Sequence, residues 1–272
     1  MLLDLIRKLV PIRYRQSLGL WTAHQASRSK VLLYPYMWLL CRAIPNKLML
    51  LPDDKATVDY KGFRILTPRD SIFTSWEVLQ DEVYEKVAGP VFGNTVIDIG
   101  AHIGLFTVKA ALQVGKYGKV VAIEPSPNNL EYLRANTEEQ LDNVIIAPVA
   151  AGSSKHDGYL TVSGASPCCS LSSGQGACTE LVKVDTLDNI LHDASISKVD
   201  FIKIDAEGAE LDILEGAMGT LRNNKLRVVV ASYHNLPNGA YELPFVQQFF
   251  LNLGFRVVAI KEYVYADNLE AE

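Results

Sequence analysis

No apolar run in this 272-residue chain approaches the ~20 residues needed to cross a bilayer. The most hydrophobic stretch, residues 31–41, is far shorter and contains Pro35, so no transmembrane span is expected. The opening Met1-Leu2-Leu3-Asp4-Leu5-Ile6-Arg7-Lys8 meets charge too early for a signal peptide, and no small-residue cleavage site follows. Cysteine is scarce. Cys41, Cys168, Cys169 and Cys178 form no CxxC pair and no metal spacing with the five histidines. That pattern fits a reduced, cytoplasmic setting and gives no reason to expect a metal. The net charge of −5 removes any overall reason to expect nucleic acid as a partner.

What is present suits one large domain with an accessory segment. Hydrophobic residues make up 49% and charged residues 21%, ample material for a packed core. The charge is unevenly spread: residues 1–52 carry eight Lys or Arg against Asp4 alone, a balance of +7 that leaves −12 for the rest. Pro45 and Pro52 bracket a boundary, giving a basic helical extension over residues 1–52 and a main domain over 53–272. Two readings of residues 1–50 stand side by side. One is a helical cap whose apolar face packs on the domain. The other is a basic segment, bearing Trp21, Trp38, Tyr34 and Tyr36, that lies on an anionic inner membrane surface or meets a lipid-linked substrate.

Beyond residue 52, two short β-like runs (56–60 and 63–67) turn at Lys61-Gly62, and apolar spacing predicts a helix over 75–88. An alternating core follows. Its strands are expected at 95–99, 119–124, 144–149, 201–205 and 226–232, with helices at 103–114, 127–139, 186–191, 208–221 and 243–253. An antiparallel excursion (158–162 with 180–184) interrupts this rhythm, and a hairpin of 255–260 with 262–265 closes it. Strands alternating with helices indicate a doubly wound α/β domain, its sheet mostly parallel with helices on both faces.

Two segments carry the functional signal. Val96-Ile97-Asp98-Ile99 stops at Gly100-Ala101-His102-Ile103-Gly104, and Val120-Val121-Ala122-Ile123 stops at Glu124-Pro125. In such a fold the glycine turn lets backbone approach a nucleoside, and an acid at the next strand tip accepts hydrogen bonds from ribose hydroxyls. The glycine loop then discriminates between cofactors. A dinucleotide site wants G-x-G-x-x-G, but this loop is G-x-x-x-G with His102 where the close-approach glycine belongs. Asp98 on the preceding strand would repel a pyrophosphate and suits a cation. The chemistry therefore favours S-adenosylmethionine (SAM) over NAD. The NAD alternative, an oxidoreductase or epimerase, would in its short-chain form call for a Tyr-x-x-x-Lys pair that this region lacks. A catalytically inactive SAM-binding homologue is the third reading.

The same segments, with Thr186-Leu187-Asp188 and Lys203-Ile204-Asp205-Ala206-Glu207-Gly208-Ala209-Glu210, resemble the FkbM-type class I methyltransferases over about residues 82–221. The resemblance implies a seven-stranded Rossmann-like sheet with a reversed last strand, SAM as methyl donor, and O-methylation of a sugar, glycan or glycosylated secondary metabolite. Two departures stand out. His102 replaces the family's usual Asn, and Val230-Ala231-Ser232-Tyr233-His234 lacks the Glu many members carry on that strand.

On this reading the cofactor-binding set is Asp98, Gly100, Ala101, His102, Gly104, Glu124, Pro125, Ala150 and Asp205. Asp98 and Gly100 are expected at the methionine end, Glu124 at the ribose, and backbone around Ala150 at the adenine. Strand alternation puts Phe201, Lys203 and Asp205 on one face and Ile202 and Ile204 on the other. A buried lysine needs a partner, either Asp98 or Asp205. Candidate catalytic residues are Asp205, Glu207 and His234, the last expected to titrate near neutrality. Glu210 reads as a complement to a helix N-terminus. Asp205 and Glu207 offer no clear third metal ligand, so no metal is expected.

Overall fold

The computed structural model describes residues 48–162, 169–172, 179–236 and 239–269. The expected cap or membrane-contacting segment falls almost wholly outside these residues. Its last part does not: β1 (Leu48–Leu50) pairs antiparallel with β2 (Lys55–Tyr60), which pairs with β3 (Phe63–Pro68). Among the described residues no helix is long and apolar enough to cross a membrane.

Runs of valine and isoleucine form the central sheet. Its strands are β4 (Thr95–Ile99), β5 (Lys119–Ile123), β6 (Val144–Ala147), β11 (Phe201–Ile204), β12 (Arg227–Ala231), β13 (Arg256–Ile260) and β14 (Tyr263–Asp267). Their order is β13-β14-β12-β11-β4-β5-β6. The five strands from β12 to β6 are parallel, and β14 runs against both its neighbours, as the terminal hairpin implied. Parallel strands buried on both faces read as continuous apolar runs, which is why these segments were legible.

Period-two alternation splits the core in two. Ile97, Ile99, Ile202, Ile204, Val228 and Val230 pack with Leu187, Ile213, Leu221 and Phe250 on one face. Val96, Phe201 and Val229 pack with Val58, Ile65, Phe106 and Val108 on the other. The first face is covered by α4 (Leu187–Asp193), α5 (Glu210–Glu215), α6 (Met218–Asn223) and α7 (Leu243–Asn252). The second is covered by α1 (Ile72–Leu79), α2 (Leu105–Val114) and the β1–β3 sheet. At about 1.5–3 kcal/mol for each fully buried aliphatic or phenylalanine side chain, these two layers dominate the stability. Packed on β5 and β6 through Leu133, α3 (Pro127–Thr137) is stapled to β3 by Asn136, which accepts from Leu66 N and donates to Leu66 O at 2.7 and 2.9 Å. A second sheet, ordered β7-β10-β8-β9, is the expected excursion. It comprises β7 (Ala150–Ala151), β8 (His156–Val162), β9 (Cys169–Ser172) and β10 (Thr179–Asp185).

Three element boundaries differ from the sequence reading. The helix expected over 75–88 is α1 and ends at Leu79; Glu82 adopts a left-handed φ of 48°, which breaks the helical path. The loop beyond is anchored from α2 by the buried Lys109, which pairs with Glu85 and, at 3.1 Å, with Glu82. The helix expected over 208–221 is split into α5 and α6 at Gly216, where a Cβ would stand 2.0 Å from the carbonyl oxygen of Gly152. The third strand stops at Ala147, and Ala150–Ala151 joins the second sheet instead.

Candidate active site

The turn after β4 is shaped by close approach. Gly100 has φ 71°, and a Cβ there would lie 1.9 Å from the carbonyl oxygen of Asp205, so only glycine fits. The loop also consumes its own donors. Gly100 N and Ala101 N both donate to Ile123 O at 3.0 Å, Gly104 N donates to Ala101 O at 2.9 Å, and His102 N donates to Glu124 Oε2 at 2.8 Å. None of these amides is left to cradle a pyrophosphate, the role such a loop plays in dinucleotide folds.

Glu124, at the tip of β5, is 4% exposed and accepts further bonds from Ser126 N (2.9 Å) and Asn129 Nδ2 (3.1 Å). Burial raises its pKa, while these donors and the nearby Lys203 act in the opposite direction. Register sets Lys203 of β11 opposite Asp98 of β4. Lys203 Nζ lies 3.0 Å from Asp98 Oδ1 and donates to Gly100 O (2.8 Å) and Ile99 O (3.1 Å). Thr107 Oγ1 donates to Asp98 Oδ2 at 2.6 Å. Of the two partners open to this lysine, Asp98 is thus the one that pairs with it.

Asp205 follows β11 directly. Tyr84 Oη donates to its Oδ2 at 2.6 Å and Tyr233 Oη to its Oδ1 at 2.8 Å. Burial raises the Asp205 pKa, with Glu210 adding to the effect and Lys203 and both tyrosines opposing it. Below it, His234 sits between two acids, Nε2 3.3 Å from Glu207 Oε2 and Nδ1 3.2 Å from Glu210 Oε1. Glu210 and Glu242 are fully buried.

A cavity of about 380 Å³ opens along the carboxyl ends of β4, β5 and β11, within the usual size of a small-molecule site. Towards β5 it is lined by Glu124, Pro125, Asn129, Ala150, Ala151 and Leu160; towards β12 and β14 by Asp205, Glu207, Tyr84, Tyr233 and Tyr263. Gly100, Ala101 and His102 form the floor between.

The family model for the methyltransferase FkbM domain matches residues 98–257, more than half the chain; Glu77, Tyr84, Glu262 and Tyr263 of the cavity lining fall outside it. The chain belongs to the FkbM methyltransferase family. Its methyl donor is S-adenosyl-L-methionine. Two curated relatives are similar over parts of the chain. The AMB antimetabolite synthetase AmbE of Pseudomonas aeruginosa is 25% identical over 66% of this chain, which spans 10% of that protein. A probable cobalt-precorrin-6B C(15)-methyltransferase (decarboxylating) of Sulfurisphaera tokodaii is 46% identical over 20% of this chain and 29% of its own length. Among solved structures, methyltransferase FkbM from Methylobacillus flagellatus is 19% identical with a TM-score of 0.45, covering 72% of this chain and 54% of that one.

In this FkbM methyltransferase, most of the residues singled out from sequence converge on the cavity. Gly100, Ala101, His102, Glu124, Pro125, Ala150, Asp205 and Glu207 all line it. Asp98 does not. It is fully buried beneath the floor and reaches the cavity only through Lys203. Gly104 acts on the fold: at φ 90°, a Cβ there would lie 2.8 Å from Leu133 Cδ1.

His234 also departs from expectation. Burial works against charging the ring, but Glu207 and Glu210 outweigh it and push the pKa up to about 10, so at neutral pH the ring is an imidazolium and no base. The sequence reading found no third metal ligand beside Asp205 and Glu207; the fold brings together a different trio, with one potential ligand atom each of Asp205, Glu210 and His234 within 4.8 Å of the others. The His234 ring is, however, already claimed by its two carboxylates.

Sequence reasoning missed Tyr84, Tyr233, Tyr263 and Glu77 as cavity residues. Tyr84 was hidden inside the expected helix, whereas Tyr233 directly precedes a histidine already flagged at a strand tip.

The buried acid–histidine group makes stability depend on pH. The raised His234 pKa contributes stability that is full below the unfolded value of 6.5 and is lost as pH climbs to about 10. Glu242, pushed up to about 8 by burial and by Glu210, acts in the same direction from 4.5 upward, because the unfolded chain ionises first. The melting temperature should therefore fall between pH 6 and pH 10, and His234→Gln should flatten the upper part of that fall. A melting temperature that rose across this window would contradict the assignment.

Proposed function

We propose that this methyltransferase transfers a methyl group to a hydroxyl of a sugar, glycan or glycosylated metabolite. The observation that carries the reading is Asp205: a carboxylate at the carboxyl end of a central strand, lining the cavity and oriented by two tyrosine hydroxyls. When bound, SAM supplies a methyl carbon activated by its sulfonium.

The chain's own residues account for the rest. Glu124 is suited to accept from the ribose hydroxyls, Ala150 and Leu160 to pack on the adenine, and the lining backbone of Gly100 to face the methionine end. The fit is chemical as well as steric. A loop whose Gly100, Ala101, His102 and Gly104 amides are already bonded, with Glu124 beside it, favours a phosphate-free cation. Asp205, its basicity raised by burial, takes the hydroxyl proton as the O–CH3 bond forms and the S–CH3 bond breaks. Much of the acceleration comes from alignment of the two reactants in line. Tyrosine rings and carboxylates along the β12–β14 arm suit a polyhydroxylated ring, the former packing on C–H faces and the latter accepting from hydroxyls.

Calorimetry with SAM, S-adenosylhomocysteine (SAH) and NAD tests the donor half. Glu124→Gln should weaken SAM binding at least tenfold, the scale of a charged hydrogen bond at about 1.5–3 kcal/mol. Undiminished affinity in that variant, or binding of NAD without SAM, would refute it.

A further inference from the structure

The acceptor arm of the cavity is acidic in a way that methyl transfer to a neutral sugar does not require. Glu77, Asp205, Glu207 and Glu262 line it. The one lysine or arginine lining the cavity among the described residues is Lys203, and its ammonium is spent on Asp98, Ile99 O and Gly100 O. His234 offsets Glu207 but is itself shared with the buried Glu210. The exposed Lys261 favours the charged form of Glu77, whereas burial and the like charges of Asp205 and Asp81 raise its pKa, so a cation placed beside it would relieve that repulsion. Even after a sulfonium donor brings its positive charge, this arm holds uncompensated carboxylates.

The wall between them is aromatic. Tyr263 stands edge-on to both Tyr84 and Tyr233, with ring centroids 5.8 and 6.4 Å away. The Tyr84 ring already accepts one ammonium, Lys203 Nζ at 5.2 Å from its centroid. Ring faces backed by carboxylates attract organic ammonium groups strongly once water is excluded. An anionic group such as a uronate or a phosphate would meet the like charge of these carboxylates, with no unspent lysine or arginine in the described lining.

We infer that the methyl acceptor carries a protonated amine beside the hydroxyl that is methylated, held by Glu77 and the Tyr233–Tyr263 wall. The substrate class is then an amino sugar or amine-bearing polyol rather than a neutral or acidic one. This rests on the proposed O-methylation and narrows its substrate. Selection operates through charge: the ammonium loses its shell of water but gains a carboxylate and ring faces, whereas an N-acetyl group in the same position gains neither.

The test uses the full chain saturated with SAH. Titration with D-glucosamine, N-acetyl-D-glucosamine and D-glucuronic acid, followed by ligand-observed NMR, should give binding of the amine at least tenfold tighter than either analogue. Glu77→Gln should cut that preference by roughly tenfold, equivalent to ~1.4 kcal/mol, with SAH binding reporting that the variant is folded. Equal binding of the three, preference for the uronate, or no detectable binding of the amine would each overturn the inference while leaving the donor site intact. Failure of the wild-type protein to bind SAH would instead bring down the methyl-transfer reading, and this inference with it.

Discussion

Replacing Lys203 by methionine should destabilise the protein by roughly 3–5 kcal/mol, the cost of stripping one partner from a buried ion pair. Lys203 and Asp98 are both essentially inaccessible to solvent, and Nζ is the shared donor to the Asp98 carboxylate and to two carbonyls of the cofactor loop. Methionine fills the volume but leaves Asp98 with Thr107 alone. For a domain of this size the loss corresponds to a fall of roughly 10 °C in melting temperature. Adding Asp98→Asn to Lys203→Met should recover much of it, since a neutral amide has less to lose. A fall of less than ~1 kcal/mol for the single variant, the range of an exposed pair, would show that the carboxylate finds other support.

The second large effect belongs to Asp205. Asp205→Asn keeps an oxygen acceptor for one of the two tyrosine hydroxyls but removes the group that takes a proton. Turnover with labelled SAM should fall about 10²–10⁴-fold, the usual contribution of a general base. SAH affinity should change only a few-fold, because Glu124, on the β5 side of the cavity, still holds the nucleoside. A loss seen in KM with kcat intact would reassign Asp205 to acceptor binding.

The contrast between Asp98 and Tyr84 explains which parts of the site could be read from sequence. Asp98, Gly100, Glu124 and Asp205 all sit at strand ends, and strand register in a parallel sheet converts their sequence positions directly into neighbourhood. The same register makes a charged residue amid valine and isoleucine conspicuous, so Lys203 announced a buried partner. Alternation, however, says only which face a side chain takes. It could not say that Asp98 lies beneath the floor rather than on it, because that depends on Thr107 and on the path of α2.

Tyr84 fails for another reason. Residues 75–88 carry a helical pattern, and what stops the helix at Leu79 is the turn at Glu82 and the distant anchor Lys109, neither of which helical periodicity reports. His234 shows the same limit in electrostatics. Its sequence neighbours suggest an ordinary imidazole, whereas its charge is set by Glu207 and Glu210, brought up from the far side of a strand crossover. The break in the 208–221 helix likewise lies where Gly216 packs closely on Gly152, residues far apart in the chain.

A cofactor loop with four of its five amides already bonded has a thermodynamic consequence. Gly100, Ala101, His102 and Gly104 are held by Ile123, Glu124 and each other in the ligand-free protein. Their disorder is therefore given up during folding, and a nucleoside arriving later meets a rigid saddle rather than a segment it must first freeze. Affinity for the donor then draws on shape and charge alone, with little conformational penalty to subtract.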